Sequence, residues 1–357
     1  MKILLSGGSG IGDLMFALPV AAALKEKFPK SKIGFLIGGT DDSKKILSKI
    51  LNNQKNSYID EIYYYNSKEL LHCLKLLLKL KAERYSYGLF MRYINQPFSW
   101  WPIRIFKFIG CKTVALKGYV PDNAPIDYFI QNINKKIHNV DAYFALLEYF
   151  NIQNNNTNKY YFNLFDIDKL RSKYKTLMLH TNNEKILCFC VGANSVKRKV
   201  NGIYRENDIK IWPIQKWIEL ANILSNEGYS VILVGGSKER QMIDRYIQHL
   251  NKKVINVVGM TDIEDSLAIL SSSDLVIGCD TGLMHCAAAL NVYTLMLLGA
   301  VDPIQAQGYG DRSYSIYLCK SCSPCYGTGR DLQCKNYECM CEISVTLVYE
   351  KIKKILK

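Results

Sequence analysis

Two short turns, far apart in the chain, carry the residue types best suited to chemistry. The first is Ser6-Gly7-Gly8-Ser9-Gly10-Ile11-Gly12-Asp13, which follows the strand-like Lys2-Ile3-Leu4-Leu5 and leads into a helical run from Leu14 to Lys25. It is not the dinucleotide fingerprint, because Asp13 stands where the third glycine should be, and no Gly-Lys-Ser/Thr closes a Walker loop. A carboxylate would repel a phosphate held in this turn. Asp13 suits proton transfer, or capping of the following helix, and taken alone the residue fits the cap better. The second turn is Asp280-Thr281-Gly282-Leu283-Met284-His285, between the apolar run Leu275–Cys279 and the helical Cys286–Leu290. At such a strand-to-helix turn the unsatisfied N–H groups and the helix dipole favour an anion such as a diphosphate. Gly282 lets a ligand approach the backbone. Here too the simpler reading is that Asp280 or Thr281 only caps the helix.

Elements that could position these turns follow in two series. Strand-like Lys32–Ile37, Ile59–Tyr65 and Tyr87–Arg92 alternate with a leucine-rich helix at Glu69–Ala82, and Ala142–Asn151 reads as a closing helix. Trp100–Ile109 mixes aromatics with cations, which suits a lipid headgroup interface or, better, a core helix with snorkelling cations. The polar tract Gln153–Asn158 reads as a linker. After it come strands at Ile186–Val191, Ser230–Val234, Val254–Val258 and Leu275–Cys279. Helices at Gln215–Glu227, Lys238–Leu250, Ile263–Ser271 and Leu283–Ala289 interleave with them. Two alternating sets imply two doubly wound parallel α/β domains, with boundaries expected at 1–160 and 161–357. Ligands in such sheets bind beyond the carboxyl ends of the strands. The glycine turns at 7–12, 235–236 and 278–282 all fall at positions of that kind.

The chain has 357 residues, 48% hydrophobic and 22% charged, as expected of a globular protein with two cores. No apolar run is long enough to span a membrane, and the N-terminus has no signal-peptide pattern, so a cytoplasmic protein is expected. A net charge of +14 suits nucleic acid, an anionic membrane or a phosphorylated substrate; a plainly basic solvated surface competes with all three. No helix-turn-helix, zinc-finger or RRM pattern supports nucleic acid, and the basic residues are dispersed, which leaves acidic lipid or phosphate. Of twelve cysteines, six fall between Cys319 and Cys341. In a reducing compartment these suggest metal or plain thiols before disulfides.

Taken together, Ile11-Gly12-Asp13, Lys210-Ile211-Trp212-Pro213 with Trp217, Gly235-Gly236 with Glu239, the 280–285 turn, and Gly299 with Asp302-Pro303 resemble glycosyltransferase family 9, the lipopolysaccharide heptosyltransferases. The resemblance implies the GT-B fold, two Rossmann-like domains facing a central cleft, with the acceptor on the first and a nucleotide sugar on the second. It implies that Asp13 is the general base, deprotonating an acceptor hydroxyl as it attacks the donor's anomeric carbon with inversion. Gly10 and Gly12 form the turn around it. Lys210 is implied beside the diphosphate and donor sugar, Glu239 on the ribose, and Asp280 on donor sugar hydroxyls. Thr281 and Gly282 would meet the diphosphate, with His285 on the same helix face serving either the ligand or the structure. No metal is implied for catalysis.

Three departures stand out. Family members commonly carry arginine where this chain has Gly7. The connection Val196–Asp208 is long and basic, with Lys197-Arg198-Lys199 suggesting a cationic lid over a diphosphate. Cys319, Cys322, Cys325, Cys334, Cys339 and Cys341 form a cluster whose best tetrahedral ligand set, for structural zinc or iron, is Cys322, Cys325, Cys334 and Cys339. The resemblance includes protein-modifying heptosyltransferases with a cysteine-bound iron. The expectation is thus an inverting transferase using ADP-heptose and a lipopolysaccharide or lipooligosaccharide core acceptor. It is expected to sit peripherally on the inner membrane and to have no nucleic-acid partner. A protein (autotransporter) heptosyltransferase, a nucleotide-sugar epimerase and a non-catalytic nucleotide-sugar-binding protein are the alternatives. The last helix, Val345–Leu356, is amphipathic and basic, and in the implied fold it can pack back on the first domain.

Overall fold

The computed structural model describes every residue except Ser9, 92–100, 132–136, 154–156, 178–183, 193–198, 201–202 and 205–208. The chain divides into two compact units, Met1–Phe165 and Asp166–Lys357. The boundary expected after residue 160 thus falls after Phe165. The end of the anticipated linker tract, from Thr157, already forms a helix.

The first unit has strands β1 (Lys2–Gly7), β2 (Lys32–Gly38), β3 (Glu61–Tyr65), β4 (Tyr87–Phe90), β5 (Lys112–Leu116) and β6 (Tyr128–Ile130). Its helices are α1 (Ile11–Lys27), α2 (Asp41–Leu51), α3 (Leu70–Glu83), α4 (Trp101–Ile109), α5 (Asn139–Phe144) and α6 (Thr157–Tyr161). The strands pair in parallel in the order β3-β2-β1-β4-β5-β6. Helix α1 is buried without a break from Leu14 to Leu24, which explains an apolar stretch with no polar face. Helix α4 buries Pro102, Ile103, Ile105, Phe106 and Ile109 against the sheet and leaves Trp101 and Phe108 exposed. The core reading of that segment therefore holds for one face only.

In the second unit, α7 (Ile167–Thr176) precedes β7 (Ile186–Cys190), the small antiparallel pair β8 (Lys199–Val200) and β9 (Ile203–Tyr204), and then α8 (Ile214–Asn226). There follow β10 (Ser230–Val234), α9 (Ser237–Ile243), β11 (Ile255–Asn256), α10 (Ile263–Ser271), β12 (Leu275–Cys279) and α11 (Gly282–Ala289). The unit ends with β13 (Tyr293–Leu298), α12 (Pro303–Ala306), β14 (Ser313–Tyr317), α13 (Glu338–Cys341) and α14 (Val345–Ile355). Its sheet order is β11-β10-β7-β12-β13-β14, again all parallel. The two sheets therefore share one topology, with β7 the counterpart of β1 and β12 that of β4. Helix α14 sends Val345, Val348 and Ile352 into the core of its own unit, beside Trp212 and Trp217. Tyr349 and Lys353 of α14 both bond the Glu227 carboxylate at the end of α8. Among the described residues no helix is long and apolar enough to cross a membrane.

Candidate active site

In each sheet the strand order reverses beside the first strand, and the crevice at the carboxyl ends there is where ligands bind in doubly wound folds. In the second unit, three sequence-selected residues meet at that place. Lys210 comes from the β7–α8 connection, and Asp280 directly follows β12. Lys210 Nζ donates to Asp280 Oδ2 at 2.6 Å. On the other carboxylate oxygen, His285 Nε2 lies 3.4 Å from Oδ1. Burial works against the Asp280 charge. The hydrogen bond to His285 and the Lys210 ammonium more than offset it, and the carboxyl is held well below its ordinary range. The Lys210 ammonium is likewise opposed by burial but raised by Asp280 and Tyr326.

The segment carrying Lys210 is pinned by its apolar neighbours. Ile209, Ile211 and Trp212 are buried, and Trp212 Nε1 donates to the Ile343 carbonyl at 3.0 Å. Trp212 and Trp217 pack edge to face with centroids 4.8 Å apart. Pro213 is the N-cap of α8 and stops the extended run. The Trp-Pro spacing thus has a mechanical meaning: it fixes the lysine's backbone to the core.

Tyr326 completes the cluster and was not foreseen in the sequence. The Lys210 ammonium sits 3.6 Å from its ring centroid, a cation–π contact. The cysteine-rich loop holds Tyr326 there, since the Cys325 and Tyr326 amides both donate to the Ala300 carbonyl at 2.9 Å. Ser323 Oγ also donates to the Gly299 carbonyl. Gly299 has no room for a side chain, because a Cβ would stand 2.7 Å from Met340 Sδ and 2.8 Å from Cys339 Sγ. Of the other expected residues here, Asp302 caps α12, its Oδ1 accepting from the Ile304 amide at 2.9 Å.

Thr281 is the N-cap residue of α11, yet its side chain makes no capping hydrogen bond. Among the described residues its buried Oγ1 has no partner. Asp280 is taken up by Lys210 and His285, so neither residue is a simple helix cap. The Met284 amide turns back to the Thr281 carbonyl at 3.2 Å, and the Gly282 and Leu283 amides ahead of it lie at the positive end of the helix dipole. One N–H of the three on Lys210 goes to Asp280, which leaves donors for an anion at this helix end.

Glu239 stands in the first turn of α9, the helix that follows β10. Its carboxylate folds back to accept from the Gly236 amide at 3.0 Å. A Cβ on Gly192, just beyond β7, would fall 2.2 Å from Glu239 Cγ. Glu239 therefore lies over the carboxyl edge next to β7. Glu239, Lys210 and Asp280 thus come from the connections that follow three neighbouring strands, β10, β7 and β12.

The first unit repeats the acid-and-glycine arrangement at its own crevice. Asp13 occupies the first turn of α1, and its Oδ2 accepts from the Gly10 amide at 2.9 Å. A Cβ on Gly8 would stand 2.3 Å from the Asp13 carboxyl. The glycines are there because the carboxylate is folded into their backbone, and Gly12 continues the first helical turn beside it. The departure at Gly7 has a local reason: a Cβ there would meet the Phe35 ring at 2.9 Å.

The four cysteines expected as metal ligands share one neighbourhood, the charges of Cys334, Cys325 and Cys322 acting on Cys339. Among the described residues no three His, Cys, Asp or Glu side chains are arranged to hold an ion. All twelve cysteines are free. Cys325 is buried with Ile209 and Ala300, with Cys334 packed against them, while Cys339 joins the main core and Cys322 is exposed. Burial pushes the Cys339 thiol up to about 12, helped by the charges of Cys334, Cys325 and Cys322. Burial also raises Cys325. Of the basic triplet suggested as a lid, Lys197 and Arg198 lie outside the described residues, and Lys199 begins β8.

Two Rossmann-like domains with ligand-facing turns at both sheet crevices define a glycosyltransferase of the GT-B class. The glycosyltransferase family 9 (heptosyltransferase) model matches residues 112–336, more than half of the sequence. The chain belongs to that family. It is 23% identical over 361 residues to lipooligosaccharide heptosyltransferase 2 of Campylobacter jejuni, covering 99% of each. The lipooligosaccharide heptosyltransferase 2 of Haemophilus ducreyi is 30% identical over 131 residues, 35% of this chain; the match spans 34% of that enzyme, about a third of its length. The structure of the Escherichia coli ADP-heptose lps heptosyltransferase II shares the fold, with a TM-score of 0.71 and 20% identity, and covers 100% of this chain and 98% of that one.

Proposed function

We propose that this protein is an inverting heptosyltransferase that moves a heptose from ADP-heptose to a sugar hydroxyl of a lipopolysaccharide or lipooligosaccharide core. Asp13 accepts the proton of that hydroxyl. The oxygen bonds to the anomeric carbon from the side opposite the leaving group, the bond to the diphosphate breaks, and ADP departs. Lys210, Thr281 and the amides from Gly282 onward stabilise the charge that develops on the diphosphate. Asp280, oriented by Lys210 and His285, receives donor sugar hydroxyls, and Glu239 receives the ribose. In this reading the enzyme works in the cytoplasm, at the inner-membrane surface where its lipid-linked acceptor lies.

The observation that carries the proposal is the Lys210–Asp280–His285 cluster at the head of α11, beside a Thr281 hydroxyl with no partner among the described residues. Kinship with enzymes named as heptosyltransferases supports the sugar and the acceptor class. The test is incubation with ADP-heptose, other sugar nucleotides and a panel of truncated core acceptors, reading acceptor mass. A gain of one heptose from ADP-heptose is expected. No gain on any core acceptor, or turnover of the donor without an acceptor, would reject the assignment.

A further inference from the structure

Helix α3 exposes what a helix on a sheet ordinarily hides. Leu70 is 70% exposed, Leu71 75%, Leu74 50% and Leu78 67%, while Leu76 and Leu80 on the opposite side are buried. Leu71, Leu74 and Leu78 lie on one face by helical spacing. Lys75 falls between them, with Lys79 and Lys81 on the two flanks. The neighbouring α4 adds to this surface. It exposes Trp101 and Phe108 one face-repeat apart, with Arg104 exposed between them. Both helices connect parallel strands and so run side by side in one direction. Their contact is marked by Lys81 Nζ, 4.8 Å from the Phe108 ring centroid.

The charges of this face have one sign. Its carboxylates are already taken: Glu61 by Lys79 and Lys32, Glu83 by Lys2 and Lys32, and Asp127 by Lys107. Lys75 and Arg104 make no ion pair among the described residues. At the flank of the leucine stripe, Lys44, His72, Lys75 and Lys79 line a hollow of about 160 Å³ with Tyr63 and Tyr64.

We infer that α3 and α4 form a docking face for an anionic lipid surface, with the leucines, Trp101 and Phe108 at the acyl boundary and the cations among the headgroup phosphates. Apolar residues flanked by lysines, with tryptophan at the margin, are what an interfacial helix needs. A second copy of the chain fits less well, since a self-complementary contact would set Lys75, Lys81 and Arg104 against their own equivalents. The inference gives the proposed work at a membrane a physical surface, but its test needs neither donor nor acceptor. Failure here would leave the transfer assignment standing, and the reverse also holds.

The test is flotation of the full chain with vesicles of phosphatidylglycerol and phosphatidylcholine in equal parts, and of phosphatidylcholine alone. The protein should float with the mixed vesicles only. Replacing Leu71, Leu74 and Leu78 by Ser together should lower the partition coefficient by about tenfold or more, without unfolding, because these side chains are exposed. Lys75→Gln, Lys81→Gln and Arg104→Gln should each lower it by roughly fivefold at low salt. These charge variants keep every leucine, so their loss cannot be a defect of the leucine variant. No flotation of the parent, or equal flotation of parent and variants, overturns the inference. So does a leucine variant that turns a dimer into a monomer while its lipid partition is unchanged.

Discussion

The two units build the same sheet, first strand central and order reversing beside it, but they place opposite chemistry at the reversal. In the first unit the turn after β1 closes glycine backbone around the Asp13 carboxylate. In the second, the connection after β7 delivers Lys210 to Asp280 at the head of α11. The acid-and-glycine clasp recurs there one strand over, as Gly192 and Gly236 around Glu239. One backbone solution thus carries a clasped carboxylate in one unit and a cation beside a helix terminus in the other; in the proposed function the first takes a proton and the second holds an anion. The difference lies in which side chains the equivalent loops carry, not in the scaffold.

The largest effect that would sharpen this contrast comes from unpairing the second unit's cluster. Asp280→Asn leaves the partly buried Lys210 ammonium without its carboxylate, a loss of up to about 3 kcal/mol. A lower denaturant midpoint together with a raised donor KM is expected. Lys210→Met should be similarly destabilising, and the double variant less so than the sum of the two. Additive losses would mean the pair is not a unit.

The glycine clasps allow a finer comparison. Gly8→Ala must displace the Asp13 carboxyl, and Gly192→Ala must displace Glu239. The first should lower kcat by about a hundredfold, as a misplaced catalytic group does, with little change in donor KM. The second should raise donor KM and leave kcat nearly unchanged. If both variants gave the same kinetic signature, the division of labour between the units would fail.

Much of this was legible in the sequence, and the omissions have physical causes. The glycine turns, the strands leading into them and the family motifs were read directly, because turn chemistry and short apolar runs are local signals. Strands β5, β6, β13 and β14 were not. Tyr128–Ile130 is too short to show a period, and Tyr293–Leu298, apolar but for Thr294, does not tell strand from buried helix. The helix read as Lys238–Leu250 is only Ser237–Ile243 followed by a 3-10 turn at Ile247–His249. Tyr326 had no signal of its own, since its place under Lys210 depends on the loop's bonds to Gly299 and Ala300. The cysteine spacing marked a cluster, but spacing does not report that Cys325 and Cys339 are buried while Cys322 is exposed.

Acid sensitivity separates the units more gently. A carboxyl depressed in the folded state contributes stability above its unfolded value, and that contribution is lost as pH falls through the folded value. For Asp280 the loss begins below about 3.8, so Asp280→Asn should flatten the acid limb of stability against pH. In the first unit, burial opposes the Asp127 charge, but Lys107 and the two Thr113 donors bring its carboxyl down to about 2. Its contribution should disappear between about 3.8 and about 2, and Asp127→Asn should remove that window without touching transfer at neutral pH. Chemical denaturation across this range, by fluorescence, would check both. The smallest expected change is at α14. Glu227→Gln breaks an exposed pair with Lys353 and should alter stability by less than about 1 kcal/mol in the same assay.

The central claim is that Asp13 takes the acceptor's proton while the second unit holds the donor. Single-turnover transfer by Asp13→Asn, with bound ADP-heptose measured in parallel, tests it most directly. Asparagine still offers an oxygen to the Gly10 amide, so donor affinity and folding should match the parent while the chemical step slows by about 10²–10⁴. Transfer at the parent's rate would contradict the account.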